Sequence, residues 1–193
     1  MANVSSMWAI YHGKENMIEI SKKIKQNRHL LYEGLARFSK EEGNVKINPN
    51  CGKDGFDTIT VDFVNYIDRE SVYDNLKQKG YLARISSTKS LTFSLNETTD
   101  EDDILKIMNS FFEEVSGSKK KRFYLPNYVY HYCKWLPEKD SKFSPEIERC
   151  PDSFLNQKIF AQEKSETWMM RYINYLSNKD YSLSNGMIPL GSC

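Results

Sequence analysis

The stretch Thr58-Ile59-Thr60-Val61-Asp62-Phe63 decides the fold of this chain, because apolar and polar residues alternate along it. A period of two places Ile59, Val61 and Phe63 on one face of a β-strand. The alternation returns in residues 91–95 (LTFSL), after a shorter strand predicted over residues 82–86 and a polar turn over residues 87–90. These segments predict a small, mainly antiparallel sheet with one buried face.

Helical periodicity surrounds the predicted sheet. A long amphipathic helix is indicated by apolar residues at spacings of three, four and seven: Met17, Ile20, Ile24, Leu31, Leu35 and Phe38. The residues up to Tyr11 are also compatible with a helix, so Gly13 is the predicted break, and residues 41–55 are predicted to form a loop.

Two more helices are predicted beside the strands. The first begins at Asp68 as its cap, turns Val72, Tyr73 and Leu76 inward, and ends at Gly80. The second begins in the acidic residues 99–102, where backbone N–H groups favour carboxylates. Its predicted buried stripe is Ile104, Leu105, Met108, Phe111 and Phe112.

The fold class that follows is α/β to α+β: a small α+β domain, then an irregular connector, then a helix. The connector is predicted from the linker-like SGS at 116–118, the basic run 119–122 and three prolines before Cys150. Ser165 is the predicted cap of the last helix, which carries Met169, Tyr172, Ile173 and Leu176 and ends before Asp180. The predicted domains are 1–115, 116–150 and 151–193.

Composition excludes several classes of protein. Twenty-seven Lys and Arg against 26 Asp and Glu give a net charge of +1, so there is no basic excess to hold nucleic acid. No stretch approaches the roughly 20 apolar residues that a membrane span needs, and we expect neither a span nor a signal peptide. Four cysteines (Cys51, Cys133, Cys150, Cys193) without a CxxC pair predict neither a disulfide framework nor a zinc site.

Local motifs for chemistry each have a plainer structural explanation. His131 and Cys133 could donate two metal ligands, but no further ligands have a compatible spacing. Cys193 could be nucleophilic, although no neighbouring positive charge indicates a lowered pKa. The acidic residues 97–103 are accounted for by a helix start, and Lys158 and Lys164 have no surrounding motif.

Several separated blocks resemble one family. Residues 165–172 (SETWMMRY), 178–180 (NKD) and 187–193 (MIPLGSC) are similar, in order and spacing, to a signature of the P-protein of the glycine cleavage system, glycine dehydrogenase (decarboxylating). AIYHG at 9–13, FDT at 56–58, Arg84 and SLNETT at 94–99 resemble earlier segments of that family. Only residues 116–150 lack a recognisable counterpart.

The resemblance implies a partial aspartate-aminotransferase-like fold, that of the type I enzymes dependent on pyridoxal phosphate. The chain would correspond to the end of the first of two related halves, the connector and the start of the second half. In the family, the lysine that holds the cofactor lies beyond the position of Cys193. The MIPLGSC loop lies near the cofactor pocket in the family, so the resemblance implies that Gly191, Ser192 and Cys193 are near that pocket. It implies no catalytic residue and no metal ligand in this segment.

The implied activity is decarboxylation of glycine with pyridoxal phosphate and transfer of the aminomethyl group to the lipoyl arm of the H-protein. Glycine and the lipoylated H-protein are the implied partners, with a homodimer or paired halves as the assembly. The implied location is mitochondrial in a eukaryote and cytoplasmic in a bacterium. We expect the 193 residues alone to be inactive.

Three matched places depart from the family pattern: Asn96 replaces an aspartate, Lys164 replaces a histidine, and residues 149–151 (RCP) stand where the family has a segment like R-x-S-P. The alternative interpretation is a non-catalytic binding or assembly module derived from the enzyme.

Overall fold

The computed structural model describes residues 1–51, 55–115, 154–162, 165–182 and 184–187. The chain divides into two compact units. Glu19–Glu148 forms one, which we call the sheet unit, and Met1–Ile18 with Arg149–Cys193 forms the other, which we call the terminal unit. The N-terminal residues are thus grouped with the C-terminal segment. The predicted domain boundaries at 115 and 150 stay predictions.

A four-stranded antiparallel sheet is the centre of the sheet unit. Its strands are β1 (Val45–Ile47), β2 (Thr58–Phe63), β3 (Arg84–Ser87) and β4 (Ser90–Ser94), in the order β1-β2-β4-β3. Ile59 pairs with Phe93 and Val61 with Leu91, which places the apolar residues of the two central strands on one face. All four of these side chains are buried, as the alternating sequence predicts.

Hydroxyl groups line the opposite face of the two central strands. Thr60 Oγ1 lies 2.8 Å from Thr92 Oγ1, and Ser90 Oγ donates to Asp62 Oδ1 at 2.6 Å. Asp62 Oδ2 also accepts from Asn48 Nδ2 at 2.8 Å. Because these groups satisfy one another, this face needs no apolar cover.

Three helices contribute to the core of the sheet unit: α1 (Ala2–Glu42), α2 (Tyr66–Gln78) and α3 (Glu101–Val115). Aromatic rings join the helices and the sheet. Phe111 of α3 stacks on Phe63 with ring centroids 5.7 Å apart, and Phe38 of α1 meets the Phe112 ring edge-on at 4.7 Å. The predicted α3 stripe is confirmed, with Leu105 only partly buried.

The structure corrects three local predictions. Residues 41–55 are not only loop, because β1 and a 3₁₀ turn over Pro49–Cys51 lie within them. The cap of α2 is Asn65, whose Oδ1 accepts from Ile67 N at 2.7 Å, whereas Asp68 lies in the first turn. β3 begins at Arg84 rather than at residue 82, and Leu82 is 83% exposed.

The acidic start of α3 is a reciprocal cap. Asp103 N donates to Asp100 Oδ1 at 2.9 Å, and Asp100 N donates to Asp103 Oδ2 at 3.0 Å. The Tyr81 hydroxyl donates to Asp103 Oδ1 at 2.7 Å. The backbone N–H of Asp100, and then the Tyr81 hydroxyl, lower the pKa of Asp103, while burial raises the pKa of Tyr81.

Among the described residues of the sheet unit, Arg28 is the largest fully buried side chain. Its guanidinium donates to the carbonyl oxygen of Cys51 and lies over the Tyr32 ring, 5.3 Å from the centroid. Gly55 makes room for it, since a Cβ there would come within 2.5 Å of Arg28 Nη2. Arg28 therefore ties α1 to the segment between β1 and β2.

The terminal unit contains the N-terminal part of α1, a short helix α4 (Lys158–Ala161) and α5 (Glu166–Ser177). The Ser165 cap is confirmed, because its hydroxyl accepts from Trp168 N at 3.1 Å, and α5 ends before Asp180 as predicted. Within the described ranges no helix is long and apolar enough to cross a membrane.

Candidate functional site

The terminal unit brings together two segments that are far apart in sequence. Gly13 has φ 69° and ψ −178°, which interrupts α1 where the sequence predicted a break. A Cβ at Gly13 would lie 2.5 Å from the carbonyl oxygen of Phe160, in α4. The backbone of α1 therefore approaches α4 more closely than a side chain would allow.

Lys14 adds side-chain contacts to the same approach. Its Nζ lies 3.4 Å from Asn156 Oδ1, across 142 residues of sequence, and 5.8 Å from the centroid of the Phe154 ring. A cation over an aromatic ring contributes about 0.5–1 kcal/mol at an exposed site. Residues 13 and 14 thus hold the end of the AIYHG motif against the C-terminal segment.

An aromatic group precedes the break. The His12 ring lies 4.4 Å from the Trp8 ring, one helical turn before it, and meets the Tyr11 ring edge-on at 5.6 Å. Trp8 and Tyr11 remain 40% and 43% exposed. The imidazole of His12 and the rings of Trp8 and Tyr11 pack against one another. Within the residues that the structure describes, no three His, Cys, Asp or Glu side chains could hold a metal ion.

The C-terminal helix leads towards the predicted site residues. Trp168 and Tyr172 stack one turn apart at 5.2 Å, and Lys179 lies 4.7 Å from the centroid of the Tyr175 ring. Beyond the helix, Met187 N donates to the Tyr181 hydroxyl at 2.9 Å. This bond fixes the backbone at the first residue of MIPLGSC.

Gly191, Ser192 and Cys193, the expected pocket residues, lie outside the described residues, as do Lys164, His131 and Cys133. Their placement near a cofactor stays a prediction. What the structure adds is that the segment leading to them belongs to the same unit as AIYHG.

Comparison with known proteins identifies the family. A family model described as "Glycine cleavage system P-protein" matches residues 1–111. The chain belongs to this family. Among similar proteins named glycine dehydrogenase (decarboxylating), that of Photobacterium profundum is 31% identical over 196 residues and that of Variovorax paradoxus 32% over 193. The Dictyostelium discoideum protein, whose name adds "mitochondrial", is 29% identical over 193 residues.

In each case the whole chain is matched, and it spans 18% of the length of the relative. The chain therefore corresponds to a minor part of a P-protein of ordinary length, and it aligns from end to end with that part.

The Asn96 departure from the P-protein pattern keeps the function of the side chain. Asn96 Oδ1 accepts from the backbone N–H groups of Thr98 and Thr99, at 3.0 and 3.1 Å. An aspartate would offer the same acceptor oxygen. The substitution therefore removes a charge without removing the turn that precedes α3.

This turn is also held by α1. Asn27 Nδ2 donates to the Thr99 carbonyl oxygen at 2.8 Å, and Lys23 Nζ donates to that of Glu97 at 3.1 Å. Sequence reasoning missed these contacts and the Lys14–Asn156 contact, because no local pattern relates residues so distant in the chain. The signal available in the sequence was that the polar residues Asn27 and Arg28 stand between Ile24 and Leu31 of the predicted apolar stripe of α1, and both are buried in the structure.

Arg84, matched to the family, lies on the edge strand β3, where all four residues are exposed. It is in the sheet unit, whereas AIYHG and SETWMMRY are in the terminal unit. The motifs that resemble the family are thus divided between the two units.

Proposed function

We propose that this chain is part of a glycine decarboxylase that uses pyridoxal phosphate and passes the aminomethyl group to the lipoyl arm of the H-protein. The observation that carries the proposal is the end-to-end match of the chain to proteins named glycine dehydrogenase (decarboxylating). The close approach of Gly13 to Phe160 supports it, because it places the AIYHG motif in the same unit as the segment that precedes SETWMMRY.

The proposal extends to the fold and the domains. The α+β unit is the small domain of a type I pyridoxal-phosphate fold within residues 1–115, followed by the connector and the start of the second half from residue 151. An antiparallel sheet with helices on one face supports this placement. Gly191, Ser192 and Cys193 are proposed to lie beside the cofactor.

The described residues do not fit a covalent cofactor site. A lysine that reacts with pyridoxal phosphate is usually desolvated or placed beside another cation, which lowers its pKa. Every lysine in the described ranges is exposed or half-buried, and Lys14, the less exposed lysine of the terminal unit, is directed at Asn156 and Phe154. By the family resemblance, the lysine is proposed to lie beyond Cys193, and this chain is proposed to have a structural role in the enzyme.

The test is exchange of labelled bicarbonate with the carboxyl group of glycine, in the presence of pyridoxal phosphate and lipoylated H-protein. The 193 residues alone should exchange no label above a buffer blank. The complete product of the gene should exchange it, and this exchange should require the H-protein.

The size of the endogenous polypeptide separates the two interpretations of the chain. An antibody against residues 165–176 should detect a band several times heavier than 22.6 kDa. A band near 22.6 kDa, with no exchange activity, would favour the non-catalytic binding or assembly module. The compartment is proposed to be mitochondrial in a eukaryote, as the name of the Dictyostelium discoideum relative states for that protein, and cytoplasmic in a bacterium.

A further inference from the structure

The sequence contains one Asn-Gly pair, Asn185-Gly186, which stands directly before MIPLGSC. None of the other asparagines in the sequence is followed by glycine. An asparagine before glycine is chemically labile, because the backbone nitrogen of the next residue attacks the side-chain amide carbon and glycine has no side chain to obstruct the attack. Asn185 is therefore the asparagine at which this reaction meets the least steric resistance.

Packing explains why residue 186 is a glycine. A Cβ at this position would lie 2.7 Å from Cε1, Cζ and the hydroxyl oxygen of Tyr181. A side chain at position 186 would therefore displace the Tyr181 ring, and with it the hydroxyl that accepts from Met187 N at 2.9 Å. The close approach of this ring requires a glycine, and the labile pair is a consequence of that requirement.

The surroundings of Asn185 allow the reaction. Asn185 is exposed, so water reaches its amide carbon. It lies beyond the end of α5, in a turn where Asn185 N donates to the Ser182 carbonyl oxygen at 3.2 Å. Asn109 differs, because it also precedes a small residue, Ser110, but lies within α3, where helical hydrogen bonds hold the backbone.

One contact opposes the reaction at Asn185. Asn185 Nδ2 donates to Asn178 Oδ1 at 2.6 Å, which joins the turn to the C-cap residue of α5. Rotation of the Asn185 amide towards the Gly186 nitrogen would break this short hydrogen bond. The Asn178 side chain therefore raises the barrier to the attack.

We propose that Asn185-Gly186 is a site of spontaneous covalent modification, at which Asn185 is converted to aspartate and isoaspartate, and that the Asn178 side chain slows the conversion. Water is the co-reactant, and ammonia is the product released. The conversion does not depend on the decarboxylase activity proposed for the enzyme.

The conversion has two steps. Hydroxide removes the proton from Gly186 N, and the electron pair of this nitrogen forms a bond to Asn185 Cγ, which closes a five-membered imide ring. The bond between Cγ and Nδ2 breaks, and the leaving nitrogen takes a proton from water and departs as ammonia. Water then opens the ring at one of its two carbonyl carbons. The product is aspartate, or isoaspartate where the main chain continues through Cγ.

Either product weakens the contacts of the turn that leads to MIPLGSC. A carboxylate at position 185 has no N–H group to donate to Asn178 Oδ1, so that hydrogen bond is lost. Isoaspartate also adds a carbon atom to the main chain before Gly186. This insertion shifts Met187 N relative to the Tyr181 hydroxyl that it contacts.

The test follows one peptide by mass spectrometry. The product of the complete gene is purified, incubated at pH 8 and digested with trypsin in a mildly acidic buffer, which slows the reaction. The peptide that begins at Asp180 should gain the mass that replacement of NH₂ by OH gives, with fragment ions locating the change at residue 185 and both aspartyl and isoaspartyl forms present. The peptide containing Asn109 should change at least about tenfold more slowly, because the helix keeps the attacking nitrogen from Cγ.

Two variants test the role of Asn178. Asn178→Ala removes the acceptor, and the rate at Asn185 should increase about fivefold, the factor that corresponds to loss of one hydrogen bond of ordinary net strength. Asn178→Asp is the matched control, since it keeps an acceptor oxygen, and its rate should stay within about twofold of the parent. The Asn109 peptide in each digest reports the folding of the variant, because unfolding of α3 would accelerate its modification.

Modification of Asn185 no faster than that of Asn109 would overturn the assignment of the site. Equal rates in the parent and in Asn178→Ala, or equal rates in the two Asn178 variants, would overturn the role of the Asn178 acceptor. These readouts are changes in peptide mass, so loss of bicarbonate exchange in the complete gene product would remove the decarboxylase proposal without affecting them.

Discussion

Replacing Gly13 with alanine should destabilise the terminal unit, for two reasons that the structure separates. The backbone at Gly13 (φ 69°, ψ −178°) lies in a region that only glycine adopts freely, and a residue with a Cβ is disfavoured there by about 1–3 kcal/mol. The new Cβ would also lie 2.5 Å from the carbonyl oxygen of Phe160. Because the obstacle is backbone, relieving it costs a further ~1–3 kcal/mol.

One term opposes these costs. Alanine has fewer conformations than glycine in the unfolded chain, which raises the free energy of unfolding by about 0.4–1 kcal/mol. The expected net loss for Gly13→Ala is about 3 kcal/mol, as the sum of the two penalties less this gain. Gly43 is the matched control, since it has φ 70° and a Cβ added there would meet nothing within 4 Å, so Gly43→Ala should lose only about 1 kcal/mol.

Urea unfolding followed by tryptophan fluorescence measures the difference. Trp8 and Trp168 both lie in the terminal unit, and a Trp135→Phe background removes the third tryptophan. Because Gly43 lies in the sheet unit, far-ultraviolet circular dichroism, to which the helices of both units contribute, is recorded in the same titrations. The urea concentration at the midpoint of unfolding should be clearly lower for Gly13→Ala than for Gly43→Ala. Equal midpoints for the two variants would refute the close approach of α1 to Phe160 as the reason for glycine at position 13.

Three further predictions concern the sheet unit. Asn96→Asp should raise the free energy of unfolding at pH 7 by about 0.5–1 kcal/mol in urea titrations, because a charged acceptor strengthens the hydrogen bonds from the Thr98 and Thr99 N–H groups in the turn that precedes α3. Arg28→Met should lower the free energy of unfolding by about 2–3 kcal/mol in the same assay, because it leaves the Cys51 carbonyl oxygen without the guanidinium donor. Arg37→Met, on an exposed part of the same helix, should lower it by less than about 1 kcal/mol. A backbone N–H and the Tyr81 hydroxyl lower the pKa of Asp103, so this carboxylate stabilises the fold above its unfolded pKa of about 3.9, and that contribution is lost as the pH falls through the folded value. Tyr81→Phe should therefore be less stable than the parent at pH 7, and the gap should narrow in unfolding titrations at pH 3.

Periodicity predicted the parts of the fold whose cause is local. β2 and β4 alternate over five or six residues, and the alternation alone predicts which apolar side chains are buried, although Ser90 is buried as well. β1 was missed because three residues are too few to show a period, and it exists because Val45 pairs with Phe63. The cap of α2 was predicted at Asp68, but the structure has it at Asn65, three residues earlier, which is also a residue type that caps helices.

The candidate site was less predictable, because its contacts join distant segments. Nothing near Lys14 in the sequence indicates Asn156 or Phe154 as a neighbour. The likeness to P-proteins identified AIYHG and SETWMMRY as related to one enzyme, and the structure adds that both belong to one unit. The positions of Gly191, Ser192 and Cys193 stay predictions.

The exposed motif residues are where the family likeness and the structure bear on each other. Tyr11 belongs to AIYHG and Met170 to SETWMMRY, and they are 43% and 65% exposed. The Tyr11 ring has a contact within the chain, since it meets the His12 ring edge-on at 5.6 Å, whereas at the more exposed position of Met170 a polar side chain would be better solvated. The sheet unit buries a core of its own, and it also leaves apolar side chains exposed, among them Val64 at 57% and Leu82 at 83%. Exposure alone therefore does not distinguish Tyr11 and Met170 from the exposed apolar residues of the sheet unit, and the likeness of their motifs to P-proteins is what singles them out.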